Sequence, residues 1–218
     1  MKKPKVLVYC GIHECTTFKR LIRRFDICYG VEADPRLAAQ AQERFAGDGH
    51  VHIVHAAVCE ENGFVLFNLH NNRAASSLGR VGEDYRRRTG NEIRAVETVR
   101  VPAINLYDLL VAQGIDFIDL YQSDIQGMDF VVLNTLYPLV ADRRIRMIRC
   151  ETELDAHAVP SYEGLPSNRQ ALFRELLQRD YRICARQKVG PNWAYQDVTW
   201  KLKPRHLVSW HLRRMGLL

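Results

Sequence analysis

The sequence predicts an α/β fold built on a mostly parallel sheet with helices on both faces. Two observations carry this. Strand-like and helix-like apolar segments alternate in both halves of the chain, and four strand-like segments lead into Gly11 or end at or near Glu32, Asp124 and Glu151. The carboxyl edge of an open α/β sheet is where ligands bind.

Lys5 to Cys10 is an apolar run suited to a buried strand, and Gly11 follows directly. Phe18, Leu21, Ile22 and Phe25 recur at helical spacing through Thr16 to Phe25. Ile27 to Glu32 is the second strand. Asp34 caps the next helix, Pro35 takes its first position, and Leu37, Ala38, Ala41 and Phe45 give it an apolar stripe. After the Gly47-Asp48-Gly49 turn, His50 to His55, Ala56 to Cys59 and Phe64 to Leu69 read as short strands, with a hairpin turn at Glu61-Asn62-Gly63. Asn71 to Glu92, rich in Arg, Gly and Ser, is a long polar excursion of the kind that forms a functional lid or a mobile insertion. Ala95 to Ile104 is a strand and Asn105 to Val111 a short helix. The alternation resumes with strand Phe117 to Gln122, helix Gly127 to Tyr137, strand Arg146 to Glu151, helix Asn168 to Gln178 and strand Tyr181 to Ala185. Trp193 to Leu202 closes the sheet as an antiparallel strand. From Arg205 to Leu218 the chain is a basic amphipathic helix, with Leu207, Val208, Trp210, Leu212 and Met215 on one face and Arg205, Ser209 and Arg213 opposite. That apolar face packs on the parent domain by default; a membrane surface or a dimer contact is the alternative.

The 218 residues suffice for one domain, 1–218, with one substantial core. No apolar run approaches the roughly 20 residues that cross a bilayer. The opening MKKPKVLVYCG passes straight into a strand rather than a cleavable signal, so a cytoplasmic location is expected. Cys10, Cys15, Cys28, Cys59, Cys150 and Cys184 are scattered, without the pairing of a disulfide framework or zinc ribbon. Cys10, His13 and Cys15 are three candidate metal ligands, but no second group at matching spacing completes a tetrahedral site, and no metal is expected. The formal net charge of +6 is uneven, because from Arg182 onward Asp197 is the only acid. Such an end favours anionic substrates, membrane headgroups or nucleic acid, or is a solvated face. Arg86, Arg87, Arg88, Arg143, Arg144 and Arg146 add to it, yet no aromatics for base stacking are interleaved with them, and no nucleic-acid partner is expected.

Gly11 lets a cofactor approach the backbone after the first strand. Glu32, about 20 residues on, stands where a carboxylate grips the ribose hydroxyls of an adenosine cofactor; it reads equally as a surface or capping charge. Asp124 lies above the crevice and also reads as a helix cap. Of Glu151 and Glu153, one lines the pocket and the other is solvated. A nicotinamide site needs several glycines, whereas Gly11-Ile12-His13-Glu14-Cys15 has one glycine and an acid. Glu14 repels a pyrophosphate but tolerates a cationic sulfonium and ammonium, which favours S-adenosylmethionine over NAD.

With these pieces in place the chain resembles the FkbM family of S-adenosylmethionine-dependent methyltransferases, over roughly Val6 to Glu153. The resemblance rests on VLVYCGIHEC, GVEADP, HAAVCEENGFVLF, SSLG at Ser76 to Gly79, and IDFIDLYQSDIQGMDFVVL followed by IRCETE. It implies a Rossmann-like class I methyltransferase fold of seven main strands with an added β-hairpin and insertion (about 71–92), S-adenosylmethionine as cofactor, and O-methylation of a small-molecule or glycan hydroxyl. It places Gly11, His13, Glu32, Ala33, Ala57 and Asp124 around the cofactor, and Ser76, Ser77 and Glu151 near the acceptor. Asp124 orients the acceptor or takes its proton, with His70 and His13 as alternative bases. Tyr9 stands where the family's first strand ends in Asp, Cys15 where a second turn glycine is expected, and Gln126 where the D-x-E-G turn carries its acid. These three departures support an alternative, a non-catalytic protein that keeps the fold.

Overall fold

The structure, a computed structural model, describes residues 3–88, 93–156, 160–189 and 195–217. The last four residues of the expected insertion, Trp193 at the start of the late strand, and Leu218 lie outside the described residues.

The first strand, β1 (Val6–Cys10), is buried at all five positions. Its alternation divides the core: Val6, Val8 and Cys10 join one hydrophobic cluster, Leu7 and Tyr9 the other. A strand covered on both faces is what a continuous apolar run in a parallel sheet produces. Helix α1 (Thr16–Leu21) ends in a 3₁₀ turn at Ile22–Arg24, then β2 (Ile27–Glu32) and α2 (Pro35–Phe45) follow. Asp34 caps α2 as expected, its Oδ1 accepting from Arg36 N at 2.9 Å and Leu37 N at 3.4 Å.

Next come β3 (Val51–His55), β4 (Ala57–Cys59), β5 (Gly63–His70), β6 (Arg80–Val81), α3 (Glu83–Arg88), β7 (Ala95–Asn105) and α4 (Leu106–Ala112). The second half supplies β8 (Leu120–Ser123), α5 (Asp129–Thr135), α6 (Tyr137–Ala141), β9 (Met147–Glu153) and β10 (Tyr162–Glu163). It ends with α7 (Gln170–Leu177), β11 (Tyr181–Val189), β12 (Tyr195–Leu202) and α8 (Pro204–Arg214). The helix expected over Gly127 to Tyr137 is thus broken at Leu136. Pro138 has no N–H and crowds the preceding turn, so the chain restarts as α6.

The main sheet has seven strands in the order β11-β12-β9-β8-β1-β2-β3. β1 pairs parallel with β2 and β8, β2 with β3, and β8 with β9, while β12 runs antiparallel to both its neighbours. The late strand is therefore antiparallel as expected, but it is inserted between β9 and β11 rather than closing an edge. Strand order reverses between β1 and β8, which opens a crevice at their carboxyl ends. β4, β7 and β5 form a separate three-stranded sheet.

The insertion is organised along its described length. It holds a 3₁₀ turn at Arg73–Ala75, α3, and β6, which pairs antiparallel with β10. The C-terminal helix docks on the domain. Trp210 is buried, edge-on to Phe117, and Arg214 pairs with Asp119 at 2.8 Å. Val208 and Met215 are exposed, so the packed face is narrower than the sequence pattern drew it. Several of the arginines flagged in the sequence are also engaged within the chain, Arg143 with Asp180, Arg88 with Asp84, and Arg146 over the Trp210 ring. No helix among the described residues is long and apolar enough to cross a membrane.

Candidate active site

A cavity of about 890 Å³ lies over the carboxyl ends of β1, β2, β8 and β9, within the size range of small-molecule and cofactor sites. Its floor is the meeting of two turns. Gly11 has φ +80°, and a Cβ there would stand 2.0 Å from the Asp124 carbonyl oxygen. The missing side chain thus first serves the contact between the chain's own strand ends, and only then any ligand. Cys15 has φ +63°. The turn keeps the left-handed backbone that a glycine would take, at a cost on the order of 1 kcal/mol.

At one end of the cavity, Glu32 is buried and both its oxygens are held. Oε2 accepts from His13 N at 2.8 Å and Oε1 from Asp34 N at 3.0 Å. Burial raises its pKa, and these two N–H groups pull it back down. Each oxygen keeps a further lone pair, so the carboxyl is fixed in place and can still accept from paired hydroxyls. Ala33 and Ala57 leave room beside it. His13 also lines the cavity, and its Nε2 is buried without a hydrogen-bond partner among the described residues. Arg73 of the insertion reaches over this end and ion-pairs with Asp34.

The other end is acidic and aromatic, lined by Asp124, Glu151, Gln126, Tyr9, Tyr85 and Tyr195. Burial and the nearby Asp197 push Asp124 up to about 6, against the pull of the Gln126 amide and Arg149. Glu151 is raised well above the usual carboxylate range by burial, with Asp124 and Asp129 adding to the effect. Gln126 sits between them at φ +53°. Its Nε2 donates to Asp124 Oδ1 at 2.7 Å and to Glu151 Oε2 at 3.4 Å, while its Oε1 accepts from the Tyr162 hydroxyl at 2.6 Å. The Tyr85 ring lies 5.6 Å from Tyr162 and 5.7 Å from Tyr195, which ties the insertion to this end of the cavity.

Of the residues singled out in the sequence, Gly11, His13, Glu32, Ala33, Ala57, Ser76, Asp124 and Glu151 all line the cavity. Ser77 and His70 stand behind its wall. Ser77 Oγ donates to the Gln126 carbonyl at 2.7 Å, and His70 is buried, its backbone N–H donating to Ser76 Oγ at 3.1 Å. Of the pair Glu151 and Glu153, one of which is expected from the sequence to be solvated, neither is. Glu153 is buried and accepts from Ser161 N at 2.9 Å. Cys10 and Cys15 belong to different core clusters and do not converge on a ligand set with His13. Sequence reasoning missed Tyr85, Arg73 and Tyr195, and took Arg88, which also lines the cavity, only for part of a basic surface. Tyr85 carries a signal in hindsight, an aromatic inside a polar insertion, whereas Tyr195 carries none because only strand pairing brings it here.

The methyltransferase FkbM domain matches residues 9–183 of the chain. The chain belongs to the FkbM methyltransferase family. No curated protein matches it significantly in sequence. Among solved structures it is similar to magnesium protoporphyrin IX methyltransferase from Synechocystis with bound SAM, at 8% identity and TM-score 0.43, covering 90% of this chain and 69% of that one. It is also similar to Aeropyrum pernix fibrillarin with bound S-adenosyl-L-methionine, at 11% identity and TM-score 0.46, covering 91% and 67%. A third is M. capricolum TrmK with S-adenosyl-homocysteine, at 10% identity and TM-score 0.45, covering 92% and 62%. This FkbM-family chain has a mostly parallel α/β sheet, and the cofactor of a methyltransferase of this family is S-adenosylmethionine. The cavity fits that cofactor. The fixed Glu32 carboxyl has lone pairs left to accept from paired hydroxyls such as those of a ribose, His13 Nε2 is buried without a partner among the described residues, and the acidic far end suits a sulfonium and an ammonium. Tyr9 and Cys15 are accommodated without filling the cavity, because Tyr9 packs edge-on to Phe18 and Cys15 is buried below the turn.

Proposed function

We propose that this chain methylates a hydroxyl of a small molecule or glycan, with Asp124 taking the hydroxyl proton. The observation that supports this best is the pair of buried carboxyls at the ends of β8 and β9, Asp124 and Glu151, which face the cavity and share the Gln126 amide at 2.7 and 3.4 Å, with Asp124 pushed up to about 6. Above its midpoint, at neutral pH, Asp124 is a carboxylate, the state that a proton acceptor needs. Bound S-adenosylmethionine would supply the methyl group on a sulfonium, from which a neutral thioether is a good leaving group. The protein's work is then orientation and proton removal. Glu32 holds the ribose edge, with Gly11, His13, Ala33 and Ala57 around it. Asp124 orients the acceptor hydroxyl and accepts its proton as the oxygen–methyl bond forms and the sulfur–methyl bond breaks. Glu151 lines the acceptor side together with Ser76. A cytoplasmic setting belongs to the same proposal and is supported by the absence of disulfides among the six cysteines, five of them buried.

The alternative, a fold that keeps the cavity but has lost transfer, draws on Tyr9, Cys15 and Gln126, which stand at sequence positions where the family carries an acid, a glycine and an acid. Calorimetry with S-adenosylhomocysteine and product analysis across hydroxylated acceptors separate the two. Binding with turnover that falls about 100-fold or more in Asp124→Asn supports the proposal. Binding with no product from any acceptor supports the alternative, and no binding at millimolar cofactor overturns both.

A further inference from the structure

Gln126 stands where the family turn carries an acid, and in this chain it joins four elements. Its amide nitrogen reaches Asp124 after β8 and Glu151 on β9, its amide oxygen is held by Tyr162 of β10, and its carbonyl accepts from Ser77 of the insertion. The backbone there is left-handed at φ +53°, a conformation that persists only where the surroundings fix it. An amide differs from a carboxyl in offering a donor and an acceptor at the same time. The Tyr162 hydroxyl takes up the oxygen, which leaves the N–H₂ facing the two acids.

We propose that Gln126 is the positioning residue of the carboxyl pair, its amide bridging Asp124 and Glu151 and holding Asp124 in the orientation of a proton acceptor. The proposal rests on the functional reading above. Other groups face Asp124: Asp197 on β12 opposes its ionisation and Arg149 on β9 supports it, while Asp129 at the start of α5 is itself raised by the Asp124 charge. Tyr9, Tyr85 and Tyr162 surround the same space, and burial raises all three hydroxyls, so they remain neutral. The Gln126 amide is thus the neutral donor that favours the Asp124 carboxylate, at 2.7 Å, against burial and Asp197.

The test is a carbon-13 NMR titration of labelled Asp side-chain carboxyls with S-adenosylhomocysteine bound, the Asp124 signal being assigned by its loss in Asp124→Asn. In Gln126→Met the Asp124 midpoint should rise by about one to two pH units, the equivalent of a lost hydrogen bond to a charged group. Tyr162→Phe, which frees only the far end of the amide, should move it in the same direction by less. Where an acceptor is turned over, the acid limb of the kcat profile should follow the same shifts. A midpoint unmoved in both variants overturns the proposal. Because the titration needs no acceptor, a failure to find turnover would weaken the proposed function without touching this result.

Discussion

Gly11→Ala is the sharpest perturbation of this site, because two explanations of the glycine predict different things. If its role were to admit a cofactor, the free protein would tolerate the methyl group and only binding would suffer. The geometry predicts that the free protein itself is destabilised. A Cβ at φ +80° meets the left-handed penalty of about 1–2 kcal/mol. It also lies 2.0 Å from the Asp124 carbonyl oxygen, a backbone atom that cannot swing aside. Separating the β1 and β8 turns to relieve this resembles core overpacking, about 1–3 kcal/mol. The combined loss of about 2–5 kcal/mol corresponds to a fall in Tm of roughly 5–20 °C for a chain of this size. Differential scanning calorimetry of the ligand-free protein reads it directly. A variant with wild-type Tm that has merely lost affinity for S-adenosylhomocysteine would refute the reasoning.

Three further expectations come from other parts of the molecule. Asp129 is fully buried and pushed up to about 7, chiefly by burial and next by Asp124. The folded state therefore binds its proton more tightly than the unfolded state, and this group's contribution to stability is lost as pH rises from about 4 to 7. Asp129→Asn should remove up to about 4 kcal/mol of that pH dependence, and denaturant titrations at pH 5 and 8 that differ as much in the variant as in wild type would contradict it. Glu32→Ala should weaken S-adenosylhomocysteine binding about 10- to 100-fold by calorimetry; an unchanged Kd would remove Glu32 from the ribose site. Arg214→Ala leaves the buried Asp119 carboxylate without its ion-pair partner and should cost about 3–5 kcal/mol, whereas Val208→Asp on the exposed face should stay within about 0.5 kcal/mol. Equal thermal stability of the two variants would mean that the helix is not docked through Trp210 and Arg214.

Much of the frame was legible before any coordinates. The strands from Lys5 to His55, the Asp34 cap and the resumed alternation from Phe117 onward follow from local periodicity and capping chemistry, which act over a few residues. Where local signals mislead, a specific competitor wins. Pro138 splits a helix whose apolar spacing continues across it, and the α8 stripe is cut back because Val208 and Met215 find nothing to pack against. One acid of the Glu151 and Glu153 pair is expected in solvent, yet the loop carrying Ser161 returns to cover and satisfy Glu153.

The sequence by itself determined the fold class, the family, and the strand-end positions Gly11, Glu32, Asp124 and Glu151. Each is encoded in a short stretch whose chemistry does not depend on distant partners. Tertiary structure alone decided what those residues do to one another. Gly11 is required by the Asp124 carbonyl, Glu32 is pinned by two backbone N–H groups, and Gln126 bridges two acids that β8 and β9 bring side by side. Burial and through-space charge set the ionisation of these groups, and both depend on the whole packed assembly.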